Sequence, residues 1–209
     1  MIPLWHFGDP LAPLQALLAR GGVLAVPTES SYGLGVDPRN RTGVETIYRI
    51  KGREAGKALP VVVAGRGQLA GLGIDPDLPI LIPLSACWPG PLTVVLPLAK
   101  TGPRIPAAAG QRTLAVRVPG HAGLRGLLAA LGHGLTATSA NRSGEPPVLD
   151  PDAAAALLAG QDAVVVDGGR LPGGAPSTLV AIEESGPVVL RSGSFPVERL
   201  RACLMEKDV

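Results

Sequence analysis

At 209 residues, 46% of them apolar, the chain is long enough to bury roughly 70% of its unfolded surface around one core. Nineteen basic residues against seventeen acidic ones leave a net charge of +2, too little for a surface that binds bulk polyanions, so any positive field must be gathered on one face. Two Trp, two Tyr and two Phe are too few to build stacking platforms for single-stranded nucleic acid, and no run reaches the roughly eighteen apolar residues that span a bilayer. Met1 to His6 lacks the basic and apolar segments of a secretory signal, and Cys87 and Cys203 are too widely separated to suggest a disulfide framework. These features predict a cytoplasmic protein with packed thiols and no membrane association. The 28 Gly and 22 Pro are spread between apolar runs and read as turn punctuation.

In chain order, Asp9-Pro10 predicts a cap for a helix with Leu11, Leu14, Leu17 and Leu18 on one face, stopped by Gly21-Gly22. A strand over 22–26 then runs into Pro27-Thr28-Glu29-Ser30-Ser31-Tyr32-Gly33-Leu34-Gly35, where small hydroxyl residues and glycines describe a binding loop. Thr42 to Glu45 predicts a capping box for a helix through Val44, Ile47, Tyr48 and Ile50, which places Lys51 and Arg53 at its C-terminus, facing that loop. Further strands are predicted over 59–64, 92–96, 113–118, 135–138, 163–166, 177–182 and 187–191. Helical pieces broken by proline fall over 66–88, and helices over 121–131, 151–160 and 196–206. The aperiodic run 100–111 reads as a lid, and Glu183-Glu184-Ser185-Gly186 as a hairpin turn. Alternating strands and helices with one hairpin predict an α/β fold with a mixed β-sheet.

Standard signatures are missing. There is no GxxxxGK[ST], GxGxxG, HExxH, CxxC or GxSxG, and His6, His121 and His133 are too scattered for a metal cage and read as surface or capping groups. What stands out is a recurring inventory of cations beside hydroxyls. Lys51, Arg53 and Lys57 follow the first loop, Arg117 sits in an apolar strand where a charge is costly unless paired, and Arg191 ends another strand. Such a set suits phosphates and a carboxylate.

Seven segments in order carry a resemblance: Pro27 to Gly35, Lys51-Gly52-Arg53, Trp88-Pro89-Gly90-Pro91-Leu92-Thr93, Ala115-Val116-Arg117-Val118-Pro119, Thr138-Ser139-Ala140-Asn141-Arg142-Ser143-Gly144, Ser177-Thr178 and Leu190-Arg191-Ser192-Gly193. Together they resemble the YrdC/Sua5 family, the threonylcarbamoyl-AMP synthases, over about residues 10–195. The resemblance implies one domain over 1–209 of the short type without the additional C-terminal domain, an α/β fold with an open twisted mixed β-sheet and flanking helices, and a deep positively charged cavity. It implies a nucleotidyltransferase that makes threonylcarbamoyl-AMP and pyrophosphate from L-threonine, bicarbonate or CO2, and ATP with Mg2+, the donor for t6A at position 37 of tRNA. Its further partners would be tRNA or the downstream t6A transferase proteins. By position, Lys51 and Arg53 resemble the catalytic pair. Ser30, Arg117, Ala137 and Ser177 resemble threonine-binding residues, and Arg53, Lys57, Thr113, Ser139, Asn141, Pro147 and Arg191 the ATP side, with no protein metal ligand.

The family's chemistry needs positioning and charge neutralisation and no protein nucleophile, so the missing triads fit it. This chain departs from the family at Ser30, where many members have Thr, at Glu54, where Pro is common, at Val62, where longer members have His, and at Lys57 and Ala137. Competing readings are a double-stranded RNA or tRNA-binding module, against which the low net charge speaks, a carbamoyl-adenylate former using carbamoyl phosphate, and an inactive paralogue of the same fold.

Overall fold

Strands that are apolar on both sides must be covered on both faces, and the chain meets this with helices around two mixed sheets. The computed structural model describes residues 1–53, 56–183 and 186–205. In the first sheet Leu4–His6 (β1) runs parallel to Ala163–Asp167 (β9), which runs parallel to Val23–Pro27 (β2); β2 turns antiparallel into Tyr32–Gly35 (β3), and β3 pairs with Thr138–Ser139 (β8). In the second, Gly186–Arg191 (β11) forms a hairpin with Thr178–Glu183 (β10). Next come Leu92–Pro97 (β5), Thr113–Arg117 (β6), Val61–Val62 (β4) and Leu135–Thr136 (β7). The mixed α/β class with flanking helices is as expected, and the mixed sheet is divided into two, because residues 135–139 leave one sheet and enter the other within five positions.

Other expectations are redrawn by local hydrogen bonding. The first binding loop is mostly strand: only 28–31 turns, and β3 follows at once. Leu4–His6, unassigned from the sequence, is a strand because β9 pairs with it, and the run 59–64 keeps just Val61–Val62 as ladder. The helix Ala12–Ala19 (α1) starts beyond Asp9, whose carboxylate instead accepts from the His6 N–H. In Arg41–Lys51 (α2) the cap is Asn40, accepting from Gly43 N–H, in place of the capping box read at Thr42. The stretch 66–88 holds two 3₁₀ turns and the short helix Leu81–Leu84 (α3). Helix Ala122–Leu131 (α4) is capped by His121 and Pro151–Leu157 (α5) by Asp150, as read. Val197–Met205 (α6) closes the described chain. Glu54, Glu184, Ser185 and residue 206 of the expected last helix lie outside the described residues.

A main core fills the space between the two sheets and under the proline-rich segment, with Val23, Leu34, Val61, Val94, Val116 and Val180 in contact. A second cluster lies where α1 and α4 cover the outer face of the first sheet, from Leu14, Leu17, Leu18, Leu124 and Leu128 onto Leu24 and Val26. Each such leucine contributes about 1.5–3 kcal/mol of burial. Run 105–111 is not a free lid: Ile105, Ala107 and Ala108 are buried, Leu59 N–H donates to Ala107 O, and Ala107 N–H to Pro38 O.

The joint between the sheets is Thr136. Fully buried, its hydroxyl accepts from Val36 N–H at 3.1 Å and donates to Leu34 O at 3.2 Å, while its own N–H bonds Val36 O. Thr136→Val keeps the shape and strands a buried N–H, so it is expected to cost about 1–3 kcal/mol in urea unfolding with no change in m-value.

Candidate functional site

A cavity of about 530 Å3 opens where strand ends of the two sheets converge. Its first wall is the 28–31 turn. Thr28 shapes it from within: the hydroxyl donates to Ser31 O at 2.7 Å and lies 3.4 Å from the N–H groups of Ser30 and Ser31, which presents Ser30 and Ser31 to the cavity. Gly173 N–H donates to Ser30 O and ties the 168–176 loop against this wall.

The second wall is the end of α2. Gly52, at φ 58°, is the C-cap, a left-handed position that suits glycine, and the reversal sends its two neighbours different ways. Lys51 turns inward, is 5% exposed and has no carboxylate partner among the described residues; its ammonium donates to Ser139 O at 2.5 Å, Asn141 O at 3.2 Å and Asn141 Oδ1 at 2.6 Å. Ser139 Oγ donates to the same Oδ1 at 2.7 Å. Arg53 turns to the cavity. Thus Lys51 faces the second hydroxyl loop, not the first as expected, and organises it. Burial lowers the Lys51 pKa to about 8, with repulsion from Arg53 acting the same way.

The third wall holds Arg117, Ser177 and Arg191. Arg117 Nε donates to Gly90 O at 3.0 Å, and its Nη2 lies 2.5 Å from Glu29 Oε2. That contact lacks the alignment of a hydrogen bond, and Glu29 Oε2 is buried with no hydrogen-bond partner, while Oε1 accepts from Gly120 N–H. Arg191 Nη2 donates to Ser177 O at 2.9 Å and lies 3.2 Å from Ser177 Oγ, which shares a hydrogen bond with Thr93 Oγ1 at 2.8 Å. Gly193 permits this arrangement, because a Cβ there would stand 2.2 Å from Pro176 O. Burial, and then the neighbouring Arg117, lower the Arg191 pKa.

Of the residues singled out in the sequence, Ser30, Arg53, Arg117, Ala137, Ser139, Pro147, Ser177 and Arg191 line this one cavity. Lys51 and Asn141 stand behind it through Ser139. Thr113 and Lys57 are exposed and outside the lining; Thr113 begins β6, roughly 13 Å along the strand from Arg117. Sequence reasoning gave no role to Glu29 or Thr93. The signal for Glu29 was the demand of Arg117 for a counter-charge, which says that a carboxylate is needed without saying which. Among the described residues the lining holds no thiol, imidazole or carboxylate. Burial pushes the Cys87 thiol up to about 12, with Cys203 beside it acting in the same direction, as suits packed thiols. No helix among the described residues is long and apolar enough to cross a membrane.

Fold and site together define a mixed α/β protein with a cavity lined from both sheets that holds Arg53, Arg117 and Arg191. The family model for Sua5, YciO and YrdC proteins, which carries the description telomere recombination, matches residues 16–193, and the chain belongs to this family. It is 36% identical over 198 residues to the threonylcarbamoyl-AMP synthase of Bacillus subtilis (strain 168), covering 94% of this chain and 57% of that protein. It is 40% identical over 172 residues to the threonylcarbamoyl-AMP synthase of Thiobacillus denitrificans, covering 80% and 88%. The crystal structure of Pyrococcus abyssi Sua5 complexed with L-threonine superposes with a TM-score of 0.83 at 31% identity, over 98% of this chain and 61% of that one.

Because its folded pKa lies below the ordinary 10.5, Lys51 gives up its proton more readily in the folded state than in the unfolded chain. Its contribution to stability therefore rises as pH climbs from about 8 towards 10.5 and is flat below that window. An NMR titration of the Lys51 side chain is expected to show a midpoint near 8, displaced upward in Arg53→Ala; a midpoint above 10 in the unaltered protein would contradict the burial argument.

Proposed function

We propose that this chain is a cytoplasmic L-threonylcarbamoyladenylate synthase carried by a single domain, acting on L-threonine, bicarbonate or CO2, and ATP. The observation that carries this reading is the convergence of Arg53, Arg117 and Arg191 with Ser30, Ser139 and Ser177 on one cavity that, among the described residues, offers no thiol or imidazole for covalent catalysis. The neutral threonine amine attacks the carbon of CO2 and loses its proton to solvent or bicarbonate. One oxygen of the resulting carbamate then attacks the α-phosphorus as the bond to the β-phosphate oxygen breaks, and pyrophosphate leaves. The protein's part is to hold three reactants in line and to neutralise charge on phosphoryl oxygens.

Arg117 is assigned to the amino acid carboxylate. Its Nε and Nη2 are held by Gly90 and Glu29, which fixes the guanidinium plane and leaves Nη1 for the ligand. Ser30, Ala137 and Ser177 complete that end. Arg53 and Arg191 are assigned to the phosphates with Ser139 and the Pro147 backbone, and Lys51 to holding the Ser139–Asn141 turn in place. Asn141 acts through that turn, and Lys57 and Thr113 belong to the ATP side only through the family resemblance. Mg2+ is assigned to the ATP phosphates as part of the substrate, in keeping with a lining that has no carboxylate among the described residues. The adenylate product would pass to the proteins that modify tRNA.

The test is pyrophosphate release from MgATP with L-threonine and bicarbonate each added or omitted, the product identified by mass. Release that needs both, with threonylcarbamoyl-AMP formed, is expected; release with carbamoyl phosphate in their place would point to the carbamoyl-transfer reading. Arg117→Ala is expected to raise the threonine KM at least tenfold, about 1.4 kcal/mol or more, with a smaller change in the KM for ATP.

A further inference from the structure

Thr93 is only 3% exposed and still lines the cavity. It pairs with Leu179 across the parallel β5–β10 ladder, and Leu179 pairs in turn with Arg191 on β11, so the three side chains share one face of the second sheet. All three line the cavity, as does Ser177, two positions before Leu179. Arg191 joins this row through a break in register. Val180 pairs with Val189 but Leu179 with Arg191, which leaves Leu190 as a bulge that stands 54% exposed. In an unbroken ladder Leu190 would oppose Leu179, and Arg191 would turn to the other face.

Three groups meet at Ser177 Oγ. Arg191 Nη2 donates to it at 3.2 Å, and Thr93 Oγ1 shares a hydrogen bond with it at 2.8 Å. Counting protons decides the direction of the second bond. A guanidinium only donates, whereas a hydroxyl has one proton and two acceptor lone pairs. Thr93 Oγ1 has no other hydrogen-bond partner among the described residues, so if Ser177 were the donor the buried Thr93 proton would be left without an acceptor. With Thr93 as the donor, both lone pairs of Ser177 Oγ are occupied and its own proton is left for the cavity. Such a hydroxyl offers a donor and no acceptor. It suits a carboxylate oxygen and opposes a carboxamide N–H. On the synthase reading, in which Ser177 belongs to the amino acid end of the cavity, we propose that Thr93 is a positioning residue that makes Ser177 a one-way donor to the substrate carboxylate and so selects the free amino acid over its carboxamide.

The test uses the full chain, with Thr93→Val to keep the shape and remove the hydroxyl and Thr93→Ser to keep the hydroxyl. Calorimetry measures binding of L-threonine and of L-threoninamide, and pyrophosphate release gives the KM for threonine and for ATP. Thr93→Val is expected to weaken L-threonine binding and raise its KM about fivefold or more, with kcat within about twofold. Thr93→Ser is expected to stay within about twofold of the unaltered protein in both. Threoninamide binding should change less than that of the acid, so the preference for the acid narrows in Thr93→Val, whereas damage to packing would weaken both ligands alike. Equal threonine affinity with and without the Thr93 hydroxyl, the same loss for acid and amide, or a rise confined to the KM for ATP would each overturn the proposal and leave the synthase reading standing. No L-threonine binding by the unaltered protein would overturn both. Should Thr93→Val not fold, the acid and amide are compared in Ser177→Ala, where an undiminished preference for the acid would overturn the proposal.

Discussion

The structure depends on one crossing. Between Leu135 and Ser139 the chain pairs first with β4 of the second sheet and then with β3 of the first, and Thr136 and Ala137 spend their backbone donors on Val36 O and Pro60 O across the gap. Two sheets stitched at this point diverge away from it, and the wedge between them is the cavity. The same five residues place Ala137, Thr138 and Ser139 in its wall. A single continuous sheet would have put the two hydroxyl-bearing turns on one flat surface, where water would screen the arginines.

Electrostatics follows from that shape. Lys51, Arg53, Arg117 and Arg191 converge with one carboxylate, Glu29, in contact with Arg117. The rest of the compensation comes from dipoles: carbonyls of Ser139, Asn141, Gly90 and Ser177 accept from the cations without neutralising them. A carbonyl offsets part of the desolvation cost without cancelling the charge; burial first, and then a neighbouring cation, lower the pKa of Lys51 and Arg191. A cavity compensated by carboxylates would be more stable empty and weaker towards phosphates. Glu29 is the exception, and its position on the 28–31 turn lets one side chain fix the guanidinium of Arg117 and, through Gly120, the corner that follows β6.

Much of the site was legible because the chemistry is local in sequence. Hydroxyl residues after a strand, a cation pair after a helix and an arginine inside an apolar run could each be read as ligand-binding, and eight of the residues named from these segments and the resemblance do line one cavity. Thr113 was named on resemblance, and Lys57 also as one of the cations beside hydroxyls, and neither lines the cavity. Glu29 and Thr93 escaped because their roles are defined by partners 88 and 84 residues away, Arg117 and Ser177, and no local pattern marks such a pairing.

The sequence by itself determined the α/β class, the amphipathic faces of α1, α2 and α4, the caps at His121 and Asp150, and the family, because period, capping chemistry and motif order are properties of neighbouring residues. Tertiary structure decided that there are two sheets and not one, that Lys51 turns inward to Ser139 and Asn141, and that Glu29 meets Arg117. The physical reason is that sheet partnership and charge placement are settled by long-range hydrogen bonds and desolvation, which depend on what the rest of the chain brings alongside.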